Sequence, residues 1–326
     1  MTEAVRTVHV GLGPIGCEII RAGVAAGLCA PVAAADISPE IAGCALCDVV
    51  GHGDVPTLEV CGDLEEAIEA GLDEGADAAV VCTGSHLEAI EEQFATLLSA
   101  GLSCISTCEE LVFPWLRAAT SADRLDAIAV ENDAVLLGAG VNPGFVLDLL
   151  PFVLSRVCER ITAVHAGRYV DGSRRRRQLQ AKIGTGMDPD GFRALAAEGK
   201  IGHVGLAESA ALLADSLGWP WDDFEETIDP VIAEAPVASE HFSVAAGQVR
   251  GQHQTLRMGQ VTLELIMALG ERDRDEVRVE GVPPVNAVIE GGIHGDTATA
   301  GVAINLLSPL LRAEPGLRTV TEVPLG

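Results

Sequence analysis

Gly11-Leu12-Gly13-Pro14-Ile15-Gly16 is a G-x-G-x-x-G hexapeptide near the start of the 326-residue chain. Glycines at this spacing suit a pyrophosphate: the first makes a tight turn, the second lets backbone come close, and the third lets a helix pack on its strand. Pro14 and Ile15 open that helix, whose N-terminus faces the anion. Asp36 stands 20 residues beyond Gly16, where a carboxylate accepts hydrogen bonds from an adenosine ribose. No Arg or Lys follows it closely, and a 2′-phosphate would meet a like charge, so the pattern predicts NAD in preference to NADP. The structural alternative for Asp36 is an N-cap for the segment that follows.

Three further strand ends carry polar groups to the same edge. Thr83-Gly84-Ser85 closes one, and its backbone is expected beside the dinucleotide; His86 after it either starts the next helix or takes part in the chemistry. Glu109 and Glu110 close another. Adjacent acids at a buried sheet edge are opposed by desolvation and by mutual repulsion unless they have work or partners. They also fit the acids of a helix N-terminus ahead of Pro114, so residue type alone leaves both readings open. Asn142-Pro143-Gly144-Phe145 closes the third, as a pocket wall or simply as a turn.

Residue patterning supplies the elements that hold these groups. Short apolar runs at 7–10, 31–35, 77–83, 102–107 and 134–138 read as strands. Helical patterns at 14–27, 63–71, 87–100 and 114–131 separate them, the second opened by an Asp63/Glu66 capping pair. This alternation predicts an α/β fold: an N-terminal Rossmann domain with a doubly wound parallel sheet over 1–141. A C-terminal α+β substrate and dimerisation domain is expected over 142–294, with alternating strands such as 276–280. An Ala- and Leu-rich helical pattern at 296–311 lies in a last segment, 295–326, expected to return to the first domain.

Composition narrows the class. The chain is 48% hydrophobic with 3% aromatic residues, which suits a globular protein with close helix-on-sheet packing. A formal charge of −27 opposes binding to nucleic acid or anionic membrane surfaces. The most apolar stretch, 136–154, is interrupted by Asn142, Pro143, Asp148 and Pro151 and is not read as a membrane span. Nine cysteines without framework spacing, and no secretion signal read ahead of the first motif, predict reduced thiols in the cytoplasm. Cys44 and Cys47 form a lone C-x-x-C without a second ligand pair, so no metal is expected.

Several longer stretches resemble the 2,4-diaminopentanoate dehydrogenases, a branch of the dihydrodipicolinate reductase-like superfamily that includes native amine dehydrogenases. They are 83–87 (TGSHL), 105–111 (ISTCEEL), 140–148 (GVNPGFVLD), 175–186 (RRRQLQAKIGTG), 199–209 (GKIGHVGLAES), 247–253 (GQVRGQH) and 291–300 (GGIHGDTATA). The resemblance implies a Rossmann domain, a covering α+β domain, a homodimer, and NAD(P)-dependent oxidative deamination of an amine to a ketone and ammonia, reversible as reductive amination. It also implies an active-site glutamate within the motif occupied by Glu109-Glu110, with Glu109 the first choice. A carboxylate there takes the ammonium proton and stabilises the developing iminium. On the same reading Asn142 stands beside the nicotinamide, Pro143 and Phe145 wall the substrate, and His203 and Glu208 line the pocket from the second domain, His203 fitting a satisfied core histidine equally well. Arg174, Arg175, Arg176 and Arg177 pair with acids, clamp a substrate carboxylate, or reach a cofactor phosphate, pairing being favoured.

A dihydrodipicolinate reductase-like imine reductase is the enzymatic rival. That family carries a His-His pair and a Lys before a P-S-G-T-A stretch, whereas this chain has His165-Ala166-Gly167 and the four arginines. A non-catalytic dinucleotide sensor is the rival of another class; the acidic pair and the second-domain stretches speak against it.

Overall fold

The computed structural model describes residues 4–324. The chain divides into two compact units: residues 1–145 with 294–326, and residues 146–293.

The first unit runs β1 (Val5–Val10), α1 (Pro14–Ala26), β2 (Cys29–Ala35), α2 (Leu46–Val50), α3 (Leu64–Asp73), β3 (Ala78–Val81), α4 (Leu87–Ser99), β4 (Ser103–Ser106), α5 (Ala119–Glu131) and β5 (Val135–Gly138). It is completed far along the chain by α10 (Gly295–Leu310) and β14 (Gly316–Arg318). Its strands form one six-stranded sheet in the order β14-β5-β4-β3-β1-β2, with every pairing parallel, as the alternation predicts. Every residue of β3, β4 and β5 is buried, which is why these strands read as unbroken apolar runs rather than alternating ones. Pro31 sits in β2 at the end of the sheet, where a missing N–H costs no central ladder bond.

Local signals fix the helix ends. Asp63 accepts from the Glu66 amide at 2.8 Å and starts α3, while Gly27 at φ 67° ends α1 in the left-handed region that glycine adopts at low cost. Phe94, Leu97 and Leu98 of α4 and Leu125 of α5 are fully buried against the sheet, each contributing about 1.5–3 kcal/mol. The pattern at 114–131 is broken: Pro114–Leu116 forms a 3-10 turn and the helix proper starts at Ala119.

The second unit contains α6 (Leu149–Ser155), β6 (Arg160–Asp171), α7 (Arg177–Lys182), α8 (Pro189–Ala197), α9 (Leu206–Ser216), β7 (Glu225–Ile232), β8 (Val237–Ala238), β9 (Ser243–Val244), β10 (Val249–Met258), β11 (Val261–Ala268), β12 (Arg274–Val282) and β13 (Val285–Glu290). Six of these strands make a mixed sheet, β13-β12-β6-β11-β10-β7, in which β6 and β11 run parallel. Leu256, Leu263, Leu265, Val277 and Val279 alternate onto its buried face, against which α9 and α6 pack. Within it Arg168 and Asp275 form a buried ion pair at 3.2 Å, and the other oxygen of Asp275 accepts from the Ile293 amide at 2.7 Å.

Candidate active site

In the first unit's sheet, β2 lies on one side of β1 and β3 on the other, so the winding reverses between β1 and β3. Open α/β sheets bind ligands in the crevice beyond such a reversal, at the carboxyl ends of the strands. The hexapeptide follows β1 at that point. Gly11 has φ 88°, and a Cβ there would stand 2.8 Å from the Cys82 carbonyl oxygen at the end of β3, so the two loops touch. At Gly16 a Cβ would lie 2.1 Å from the Gly11 carbonyl oxygen. At Gly13 nothing lies within 4 Å. The first and third glycines are therefore demanded by the protein's own backbone, whereas the second borders open space at the N-terminus of α1. A dinucleotide pyrophosphate fits that arrangement.

Asp36 stands at the end of β2. Its Oδ2 accepts from the Leu12 amide at 2.7 Å and its Oδ1 from the Ser38 amide at 2.8 Å. The carboxylate thus ties the glycine-rich turn to the end of β2, and each oxygen keeps a second lone pair for a ribose hydroxyl. Ile37, the next residue, is 91% exposed. Such exposure of a β-branched aliphatic beside Asp36 offers an apolar face to an adenine ring, a feature hidden in the sequence because spacing does not report exposure.

The two acids follow β4 in a short 3-10 turn, Glu109–Val112. That turn packs directly on β5: a Cβ on Gly138 would come within 2.5 Å of the Leu111 backbone. Glu110 is committed on both carboxylate oxygens. Oε2 accepts from the Leu87 amide at 2.8 Å, and Oε1 pairs with His86 Nδ1 at 2.8 Å. Its own amide donates to the Ser85 carbonyl at 3.2 Å. His86 occupies the N-cap position of α4 but makes no side-chain cap bond; Glu110 caps the helix from the neighbouring loop instead. Glu109 is half-buried on the same turn. Burial above all, with the charges of Glu109 and Glu110 adding, pushes the Cys108 thiol up to about 12, which makes it a poor nucleophile at neutral pH.

Thr83 donates its hydroxyl to the Gln93 side chain at 2.7 Å, fixing the end of β3 to α4, while Gly84 packs on Ile90. The Gly140–Phe145 loop closes on itself after β5. Gly144 has φ 115°, and a Cβ there would approach the Gly140 nitrogen to 2.5 Å. The Asn142–Pro143 peptide is cis, and the Val141 amide donates to Thr299 Oγ1 of α10 at 3.3 Å. Pro143 is buried and Phe145 half-buried. The first unit therefore gathers the hexapeptide, Asp36, Thr83–His86, Glu109–Glu110 and Gly140–Phe145 at one edge of its sheet.

His203 and Glu208 stand apart from this group in sequence, on the second unit. The His203 amide donates to Gln254 Oε1 at 2.8 Å and its carbonyl accepts from Gln254 Nε2 at 3.1 Å, so β10 holds the segment by its backbone. Glu208 is 1% exposed in α9; beside it Ser209 donates to Asp148 Oδ2 at 2.6 Å. Arg174, Arg176 and Arg177 are exposed, Arg177 lying 5.9 Å from the Phe242 ring centre, and Arg175 opposes the charge of buried Arg168. Cys44 donates to the Glu40 carbonyl and Cys47 lies 3.5 Å from Thr57 Oγ1. Among the described residues no group of three or more His, Cys, Asp or Glu side chains is arranged to hold a metal, and no helix is long and apolar enough to cross a membrane.

Residues 145–326 match the family model described as the 2,4-diaminopentanoate dehydrogenase C-terminal domain. The 2,4-diaminopentanoate dehydrogenase of Acetoanaerobium sticklandii is 25% identical, the match covering 99% of this chain and 94% of that protein. An amine dehydrogenase of Streptomyces virginiae is 23% identical over 62% of this chain and 64% of its own length. Among solved structures, the amine dehydrogenase from Mycobacterium smegmatis superposes with a TM-score of 0.80, at 24% identity, over 98% of this chain and 96% of that one, which shows the shared fold. With the family model spanning more than half of the sequence, and the edge loops built as described, the chain belongs to the 2,4-diaminopentanoate dehydrogenase family.

Proposed function

We propose that the chain is an NAD(P)-dependent amine dehydrogenase, which oxidises a primary amine to an imine that water releases as ketone and ammonia. The observation that carries this reading is the edge itself: a glycine turn open only at Gly13, beside a turn that bears two acids, one of which, Glu110, is bound on both carboxylate oxygens. Gly11, Gly13, Pro14, Ile15, Gly16, Asp36, Thr83, Gly84, Ser85 and Asn142 would hold the dinucleotide, Asp36 through the ribose and Gly13 through the pyrophosphate. When bound, the nicotinamide supplies the acceptor for the hydride.

The rest falls to the chain. Glu109 removes the ammonium proton, because an amine gives up hydride readily only as the free base. Once that proton has passed on to water, the regenerated carboxylate stabilises positive charge as the iminium develops and draws a proton from the water that attacks it, which the departing amine takes up as it leaves. Glu110, bound on both oxygens by Leu87 and His86, holds the turn rather than exchanging that proton. Asn142, Pro143 and Phe145 wall the substrate. Asp36 favours NAD over NADP by like-charge repulsion. The substrate is a small amine or a diamino acid of the kind named in the relatives, and we read the protein as a cytoplasmic homodimer.

The test is NADH and NADPH formation at alkaline pH with 2,4-diaminopentanoate, short-chain primary amines and 2-hydroxy acids. Amine-dependent reduction supports the proposal. Reduction by hydroxy acids alone, or by no member of the panel, overturns it.

A further inference from the structure

Glu110 and His86 are joined by a contact that the amine chemistry as stated above does not use. Glu110 is acceptor-only as a carboxylate, so at 2.8 Å His86 Nδ1 must be the donor. A neutral imidazole with Nδ1 protonated carries its lone pair on Nε2. The His86 side chain is 64% exposed, that of Glu110 only 13%, and among the described residues His86 Nε2 has no protein partner. The arrangement is a histidine whose tautomer is set by a held carboxylate and whose basic nitrogen faces outward. The carboxylate is fixed in turn by the Leu87 amide and by its own amide on Ser85.

We propose that Glu110 is a positioning residue that fixes His86 as the Nδ1–H tautomer, and that His86 Nε2 relays the reaction's net proton from the Glu109 turn to bulk water. The inference rests on the amine dehydrogenase reading. Oxidising an ammonium-bearing carbon breaks its C–H bond, whose electron pair leaves as hydride. Water adds to the imine carbon, the C–N bond breaks, and ammonium departs, leaving one proton per turnover in excess. That proton passes through Glu109 and ordered water to Nε2, making a transient imidazolium stabilised by Glu110, and then to solvent. A helix cap alone would need Glu110 and Leu87; it would not need an imidazole pinned on the cap's second oxygen.

Two readouts separate this inference from the reading beneath it. The first is independent of turnover: 15N spectra of histidine-labelled protein at alkaline pH, with the His86 signal identified by its loss in His86→Asn. The expected result is a protonated Nδ1 and an unprotonated Nε2 in the wild type, and mixed tautomers in Glu110→Ala. An Nε2–H tautomer in the wild type overturns the proposal. The second is amine oxidation by His86→Ala, for which kcat is expected to fall at least tenfold with little change in the KM for NAD+, and to recover on adding imidazole to the buffer. A wild-type kcat in His86→Ala, or a loss that imidazole does not restore in a variant that still binds NADH, overturns it too. If the wild type itself oxidises no amine, the functional reading fails while the tautomer result still judges the His86–Glu110 pair.

Discussion

Gly13→Ala and Gly16→Ala add the same methyl group to the same turn, and the structure assigns them opposite consequences. At Gly13 the backbone is extended, with φ −67° and ψ −177°, a conformation alanine adopts freely, and nothing lies within 4 Å of the added carbon. The fold should be unharmed, or gain the roughly 0.4–1 kcal/mol that comes from a stiffer unfolded chain. The methyl nevertheless fills the space a pyrophosphate needs, and a loss of tenfold or more in NADH affinity is expected, equivalent to about 1.4 kcal/mol. At Gly16 the new carbon would sit 2.1 Å from the Gly11 oxygen, far inside the roughly 3.5 Å of a comfortable contact. Relief requires backbone movement of α1 or the turn, at a cost of about 1–3 kcal/mol. For a domain of this size that is a fall in Tm of roughly 2–12 °C. Differential scanning calorimetry and NADH fluorescence titration on the two variants supply the comparison. Gly13→Ala binding NADH as tightly as wild type would refute the assignment of the open space to the dinucleotide, and an unshifted Tm in Gly16→Ala would refute the packing argument.

Four other changes have defined outcomes. Glu109→Gln should lower amine turnover by about 10²–10⁴-fold while NADH binding persists; full activity would place the base elsewhere. Asp36→Ala removes acceptors for the Leu12 and Ser38 amides, so NADH affinity should drop on the order of tenfold or more, and the discrimination against NADPH should narrow, as paired titrations would report. Asp275→Asn leaves the buried Arg168 guanidinium without its countercharge and should destabilise the second unit by about 3–5 kcal/mol in thermal unfolding. Burial lowers His9 to about 3 from an ordinary 6.5, so the unfolded chain takes up a proton that the fold refuses as pH drops through this window. Stability should fall by about 1.4 kcal/mol per pH unit below that upper value, and His9→Leu should make the acid limb shallower by one proton.

The parts that were legible in the sequence are those governed by periodicity and by glycine. Strands β3, β4 and β5 are unbroken apolar runs because both faces are covered, and α3 announces itself through Asp63. The hexapeptide's placement between a strand and a helix carried most of the meaning of its three glycines. The commitment of Glu110 on both carboxylate oxygens was not legible, since its partners arrive from a second loop. Those partners, Leu87 and His86, lie 23 and 24 residues away. The exposure of Ile37 was hidden for a similar reason, because only the folded end of β2 decides that an isoleucine stays in water. Strand β14 was missed as well: Gly316–Arg318 is three residues long, too short to show any period.

That short strand and α10 have a consequence for synthesis. The ribosome delivers residues 1–145, then the whole of the second unit, and only afterwards the pieces that finish the first. Until Gly316–Arg318 emerges, β5 is an uncovered parallel edge, and until α10 emerges, the α1 surface around Gly23 that later meets Ile304 stays wet. The nascent dinucleotide half is thus a sticky intermediate held open for the time needed to translate 146–293, at about 5–20 residues per second. Chaperone demand during translation should therefore concentrate on this half, and ribosome-released chains ending before residue 294 should aggregate through the β5 edge.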